Sequence, residues 1–254
     1  MLFPTYMKKK IKMNKQLIIS AVLAFFASYS MAQSAFEGFY GQVGTGYEDN
    51  SFSSINTSFV NTTLGNAYGS GSAGSQNASG TPLVIGAGYF HSIQDSYLLG
   101  FGLDYSPLSM QSGNFATYST NNLGDSSPIN NMSYKASNRF NAYLMPAYAF
   151  DADKMGYLKL GYSTQNLQYT QGSDSVSRLD SGFTSSKSIS GYVLGLGYKQ
   201  MIASGIYGFA EGNYYSYGKS TLNGNGLASS WNIAMSSTAS VSAYNFLIGL
   251  GYKF

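Results

Sequence analysis

Cysteine is absent from the 254-residue chain, which excludes disulfide staples and thiolate metal sites. Histidine occurs once, as His91, so a multi-histidine metal centre has nothing to be built from. Charge is scarce as well: 10% of residues are Asp, Glu, Lys or Arg, where an ordinary soluble domain carries about 25%. The formal net charge of +3 is unevenly placed, because Lys8, Lys9, Lys10, Lys12 and Lys15 all precede residue 16; without those five, 9 basic residues face 11 acidic ones. The remainder of the chain therefore lacks the basic face of a nucleic-acid binder, and no nucleic-acid partner is expected. Beyond Ala35 no apolar run approaches the roughly 20 residues of a membrane-spanning helix, and no 3.6-residue stripe persists.

What is abundant is Gly (30), Tyr (23) and Phe (16), with Ser, Asn and Thr filling much of the rest, a vocabulary of strands and turns. The N-terminus has its own pattern: a lysine-rich stretch over 8–15, an apolar stretch over 17–27, and the small-x-small site Ser30-Met31-Ala32 ahead of Gln33. That tripartite order is a secretory signal peptide, expected over residues 1–32 and cleaved. Met1, Met7 and Met13 are alternative starts. Residues 33–254 are then the mature part.

There the period is two. Tyr244, Phe246, Ile248, Leu250, Tyr252 and Phe254 alternate with small or polar neighbours, and the same dyad runs over residues 97–105, 140–150 and 192–198, with weaker copies at 39–47, 83–89, 158–164 and 206–217. Eight strands are predicted. A soluble sandwich also alternates, but three features favour lipid. Aromatic residues close the ends of the greasy faces, the opposite faces carry glycine and charge, and the connections alternate between short (92–96, 151–155, 201–204) and long (49–80, 109–132, 171–186, 219–239). Short turns on one rim and long loops on the other describe an all-β, transmembrane, antiparallel up-and-down β-barrel. Closure is required because lipid offers no partner for an open strand edge.

Asp104, Arg139, Lys159, Lys199 and Glu211 fall on the small, polar faces and are expected inside the barrel, where charges pair or meet water. Eight strands leave room for side chains only, so a structural ion-pair core is the expectation. His91 closes the second strand beside a short turn with no serine-and-acid constellation near it in sequence, and an enzyme is not expected. Four N-x-S/T triplets, at Asn56, Asn61, Asn77 and Asn131, are what Ser/Asn-rich loops produce by chance; Tyr68, Tyr118 and Trp231 are isolated loop aromatics, one of which is a candidate contact anchor, although aromatics among polar residues more often pack locally.

The C-terminal segment Leu247-Ile248-Gly249-Leu250-Gly251-Tyr252-Lys253-Phe254 resembles the terminal recognition signal of outer-membrane proteins, matched at Gly249, Tyr252 and Phe254 and departing from it at Leu247. The repeated glycine–aromatic units, Phe39-Tyr40-Gly41, Gly86-Ala87-Gly88-Tyr89, Pro146-Ala147-Tyr148, Leu160-Gly161-Tyr162, Gly195-Leu196-Gly197-Tyr198 and Glu211-Gly212-Asn213-Tyr214, resemble the small outer-membrane barrels typified by OmpA and OmpX, over nearly all of the mature chain. The resemblance implies residence in the outer membrane of a Gram-negative cell, contact with lipid and lipopolysaccharide, engagement of the barrel-assembly machinery by the last strand, and an interior charge network that plugs the lumen. It implies no cofactor. Function does not follow from fold: the expectation is a structural or surface-interaction protein that meets an extracellular ligand or host surface through its loops, with a narrow porin-like channel or a carrier of small apolar molecules as the alternative.

Overall fold

The computed structural model describes residues 35–120, 126–172, 179–228 and 231–254; the expected signal peptide lies outside them. Among these residues there is no helix. The strands are β1 (Gly38–Asn61), β2 (Asn66–Ala73), β3 (Gln76–Gly80), β4 (Leu83–Gln94), β5 (Tyr97–Ser106), β6 (Met110–Gln111), β7 (Phe115–Thr120), β8 (Ser126–Asp151), β9 (Lys154–Gln171), β10 (Leu179–Ser181), β11 (Phe183–Ala203), β12 (Ile206–Ala228) and β13 (Trp231–Lys253).

Eight of them close a ring. β1 pairs β4, β4 pairs β5, β5 pairs β8, and the order continues through β9, β11, β12 and β13, which returns to β1 in register from Tyr40↔Lys253 to Asn61↔Ile233. Every step is antiparallel, and the ring closes at the level of the greasy belt. Above it the ladder between β11 and β12 ends at Tyr192↔Ser216, so β11 over 183–191 pairs only β9 and β12 over 218–226 pairs only β13. At one rim the connections are two-residue turns at 95–96, 152–153 and 204–205. Gly205 carries φ +76°, the positive φ that two-residue hairpin turns demand.

At the other end the structure departs from the expected loops. The described residues of 49–80, 109–132, 171–186 and 219–239 are largely strand: β1 runs on to Asn61, β12 to Ala228, and β13 begins at Trp231. The short strands β4 and β5 stop lower down, and β2 and β7 take their places, β1–β2–β7–β8 closing the wall above them. β3 covers β1 between these levels and β6 covers β8. The paired wall thus continues beyond the greasy belt, with a break in the ladder between β11 and β12.

The two halves have opposite polarity. Below, Val43, Phe101, Leu144, Leu160, Leu196 and Ile248 face outward and are exposed, while charged and amide side chains are buried inside. Above, Phe52, Ile55, Phe59, Tyr134, Tyr169 and Leu222 are buried together in the interior, and the outward positions on β1 include Asn56 and Ser58. Three strands reach the changeover by a one-residue slip, which carries the greasy phase from the outer face to the inner one. The slips are β-bulges between Ser53 and Asn56 in β1, Ser137 and Phe140 in β8, and Ser216 and Gly218 in β12, while β9, β11 and β13 cross the changeover with unbroken alternation and a change of residue type on each face. Each bulge holds a residue of positive φ, Ser54 (+52°), Asn138 (+53°) and Gly218 (+68°).

Candidate functional site

The lumen of the lower half is where the charged side chains converge. β8 directs Arg139 inward, where its guanidinium grips Glu48 of β1 with two bonds, Nη1 to Oε2 at 2.5 Å and Nη2 to Oε1 at 2.8 Å. Such a fork is the strong, directional form of an ion pair. Nη2 also donates to Asn50 and Gln165 at 3.0 Å each, and Nε to the Tyr217 hydroxyl at 3.1 Å, while the guanidinium carbon lies 4.2 Å from the centre of the Tyr215 ring.

A second cluster lies one step further toward the short-turn rim. Lys159 of β9 reaches Asp104 of β5 at 2.6 Å and Glu211 of β12 at 3.0 Å, over the Tyr143 ring at 4.1 Å. Tyr157 and Asn213 donate to Glu211 at 2.7 and 2.8 Å, and Asn141 donates to Asp104. The clusters are joined: Asn213 donates to Asn245 at 2.8 Å, and Asn245 donates to Glu48 at 3.1 Å. One hydrogen-bonded network therefore crosses the lumen from β1 and β8 to β5, β9, β12 and β13.

Lys199 of β11 belongs to neither cluster. Among the described residues no carboxylate lies within ion-pair distance of it; its ammonium sits 3.8 Å from the Tyr40 ring centre and 4.6 Å from that of Tyr207, with Phe90 and Tyr157 at 5.2 and 5.5 Å. It donates to Gln42 at 3.0 Å. Ring faces carry partial negative charge and stand in for an anion here. Two glycines make room for the cage: a Cβ on Gly197 would lie 2.1 Å from Tyr157, and one on Gly251 2.2 Å from Tyr207. Glu48, Asp104 and Glu211 against Arg139, Lys159 and Lys199 leave the buried lumen without net formal charge.

All five charges singled out in the sequence are buried in this lumen, four of them joined in the network and Lys199 apart. Glu48, Gln42, Asn50, Gln165 and Asn245 are partners that the sequence pattern does not single out. Of the terminal signal residues, Gly249 faces inward against Phe209, and Tyr252 and Phe254 point outward with ring centres 5.2 Å apart. His91 stands on the short-turn rim, 3.2 Å from Glu37 and exposed. Among the described residues no group of His, Cys, Asp and Glu is arranged to hold a metal. Of the triplet asparagines, Asn56 and Asn61 lie in β1 and Asn77 in β3, each in a paired register, and Asn131 lies in β8, where its carbonyl accepts from the Gly172 N–H at 2.8 Å; the side chains of Tyr68 and Trp231 lie outside the described residues. Above the lumen, Phe52, Tyr134 and Phe115 stack, with ring centres 4.9 and 5.9 Å apart, and burial there pushes the Tyr134 phenol up to about 12.

The outer surface gives the fold its setting. Tyr47, Tyr105, Tyr162, Tyr192, Tyr214 and Tyr244 ring the upper edge of the belt, Tyr97, Tyr148, Tyr198 and Tyr252 the lower edge, and aliphatic side chains and phenylalanines fill the space between. An apolar band between two aromatic girdles around a closed eight-stranded ring is the surface a bilayer requires. The fold is that of a small outer-membrane β-barrel. The sequence matches no family model and no curated protein. Among solved structures it is similar to the outer membrane protease OmpT from Escherichia coli, at 10% identity over 89% of this chain and 100% of that one, with a TM-score of 0.47. It is also similar to the outer membrane protein OprG from Pseudomonas aeruginosa (14% identity, 86% and 96% covered, TM-score 0.44) and to Neisserial surface protein A (16%, 86% and 98%, 0.42). At these values the likenesses add nothing to the assignment, which rests on ring closure and on the girdled belt.

Proposed function

We propose that this chain is exported to the outer membrane, where the closed barrel is a rigid anchor and the tall polar wall above the belt stands outside the cell as a surface for contact with lipopolysaccharide or with other cell surfaces. The observation that carries the reading is the continuous network from Arg139 through Glu48, Asn245, Asn213 and Glu211 to Lys159, capped above by stacked aromatic rings. It leaves the lumen to side chains rather than to solute. The reading contains no catalytic step.

Export and assembly complete it. Residues 1–32 are removed in transit, so the mature chain begins near Gln33, and the last strand, through Tyr252 and Phe254, is handed to the barrel-assembly machinery. A second reading, a narrow water-filled channel, has one observation in its favour: Asn141 Oδ1 and Gln165 Nε2 are buried without a protein partner, and water would satisfy them. Planar-bilayer recording separates the two. The anchor reading expects a wild type that is nearly silent, with Arg139→Ala lowering barrel stability because Glu48 is left buried and unpaired. Large, steady conductance in the wild type, with ion selectivity retuned by Arg139→Ala, would move the chain to the channel class.

A further inference from the structure

The outer wall above the belt is not flat. A groove of about 510 Å³ crosses it where β7, β2, β1 and β13 lie side by side, within the range of about 300–1,000 Å³ typical of ligand sites. Its floor follows from register: Tyr118 pairs Ser72, Ser72 pairs Asn56, and Asn56 pairs Thr238. Two residues along each strand a second row repeats the pattern, from Thr120 to Ser236. Beneath it the buried Thr57 hydroxyl donates to the Gly71 carbonyl at 3.2 Å, tying two floor strands together. Tyr118 is 68% exposed at one end.

Every lining side chain is neutral, and all but Gly71 carry a hydroxyl or amide. With no Lys or Arg in the groove, it lacks the forks that hold sulfate, phosphate or carboxylate. It lacks the apolar floor that an acyl chain or an amphipathic helix would need. Strand addition by a peptide is closed off as well, because β1 is paired on both sides along this stretch. What the groove offers is rows of side chains that both donate and accept, at the roughly 4.8 Å spacing of adjacent strands, beside one exposed aromatic face. Sugars present that complement: hydroxyls around the ring edge and an apolar C–H face that lies on an aromatic ring.

We propose that this groove binds a neutral oligosaccharide, with Tyr118 as the stacking platform and Asn56 as the central hydrogen-bonding group. The inference rests on the reading that this end of the barrel stands outside the cell. The glycan has two sources, the cell's own surface polysaccharide and a glycan on another surface.

The test uses the full-length protein, folded in lipid nanodiscs, against immobilised neutral oligosaccharides of hexose and N-acetylhexosamine units, a sulfated chain as control, and lipid-free polysaccharide from the same cell. The wild type is expected to retain neutral chains and not the sulfated one. Tyr118→Ala and Asn56→Ala, both at solvent-facing positions, should each weaken retention by about tenfold, the scale of a contact hot spot. Thr184→Ala, on β11 away from the groove, should change nothing. Competition by the cell's own polysaccharide assigns the first source, and its failure to compete the second. No retention of any neutral chain, or equal retention by wild type and both groove variants, overturns the inference. Because the chain has no cysteine, Ser70→Cys can be labelled on intact cells with an impermeant maleimide. Labelling without glycan binding sinks only this inference; no labelling on intact cells, with labelling after lysis, sinks the surface reading itself.

Discussion

Lys159 and Lys199 are both about 1% exposed, but their removal should have opposite consequences. Lys159 holds Asp104 and Glu211 together; Lys159→Met leaves two buried carboxylates without the cation they share. Breaking a buried pair from one side costs about 3–5 kcal/mol, most of it the stranded charge rather than the lost attraction. Loss of Lys199 breaks no direct ion pair, because its partners are four rings, the Gln42 amide oxygen and the Tyr207 hydroxyl, and Asp104 and Glu211 both keep Lys159. Lys199→Met replaces a desolvated cation with an apolar chain of similar length and should cost less than about 1 kcal/mol, or stabilise. Urea unfolding of the two variants in lipid vesicles measures the difference. Equal losses would mean that Lys199 is charge-paired in the bilayer by a group other than those around it here.

At the scale of elements the distinctive feature is the set of bulges at which three of the eight ring strands pass from lipid to water. Below them the outside must suit lipid and above them water; β1, β8 and β12 make the change by slipping one residue, whereas β9, β11 and β13 make it with unbroken alternation and a change of residue type. Gly218 has room for a side chain, with nothing within 4 Å of the place a Cβ would take, yet φ is +68°. Gly218→Val should therefore lose about 1–2 kcal/mol through backbone conformation alone, whereas Ser54→Gly, at φ +52°, should be neutral or slightly stabilising. If the valine variant unfolds like the wild type, the slip is not fixed at this residue. The same bulges explain what was legible in the sequence. Eight strands could be read because each crosses the belt with its greasy face outward. The greasy alternation ends at Tyr47 in β1, where the next outward positions are Asp49, Ser51 and Ser53 ahead of the bulge, and near Tyr217 in β12, where the bulge reverses the phase; beyond them the outward residues are mostly Ser, Thr and Asn, so 49–80 and 219–239 read as loops. Glu48, the partner of Arg139, stood just beyond that limit. The five charges on inward positions of recognised strands were visible from alternation; which of them touch depends on ring order and stagger, which no local pattern carries.

For the whole molecule, the wall passes through two solvents, and one substitution placed at three heights should report where they meet. On β13 the lipid-facing positions run from Tyr244 in the upper girdle to Tyr252 in the lower, with Ile248, 67% exposed, midway between them. Arginine at Ile248 must carry its charge through the thickest hydrocarbon and should cost about 2–4 kcal/mol, while at Tyr252 it can reach the headgroups and should cost about 0–1 kcal/mol beyond the lost ring contacts. Asn223 of β12 is exposed on the same outer surface but above the girdle, beside Ser236 of β13. Asn223→Arg adds a charge that faces water and should leave stability unchanged. Reversible unfolding of the three variants in bilayers of one thickness gives the profile directly. A cost at Asn223 comparable with that at Ile248 would place the upper wall in lipid rather than outside, and with it would fall the anchor reading and the groove's access to a glycan.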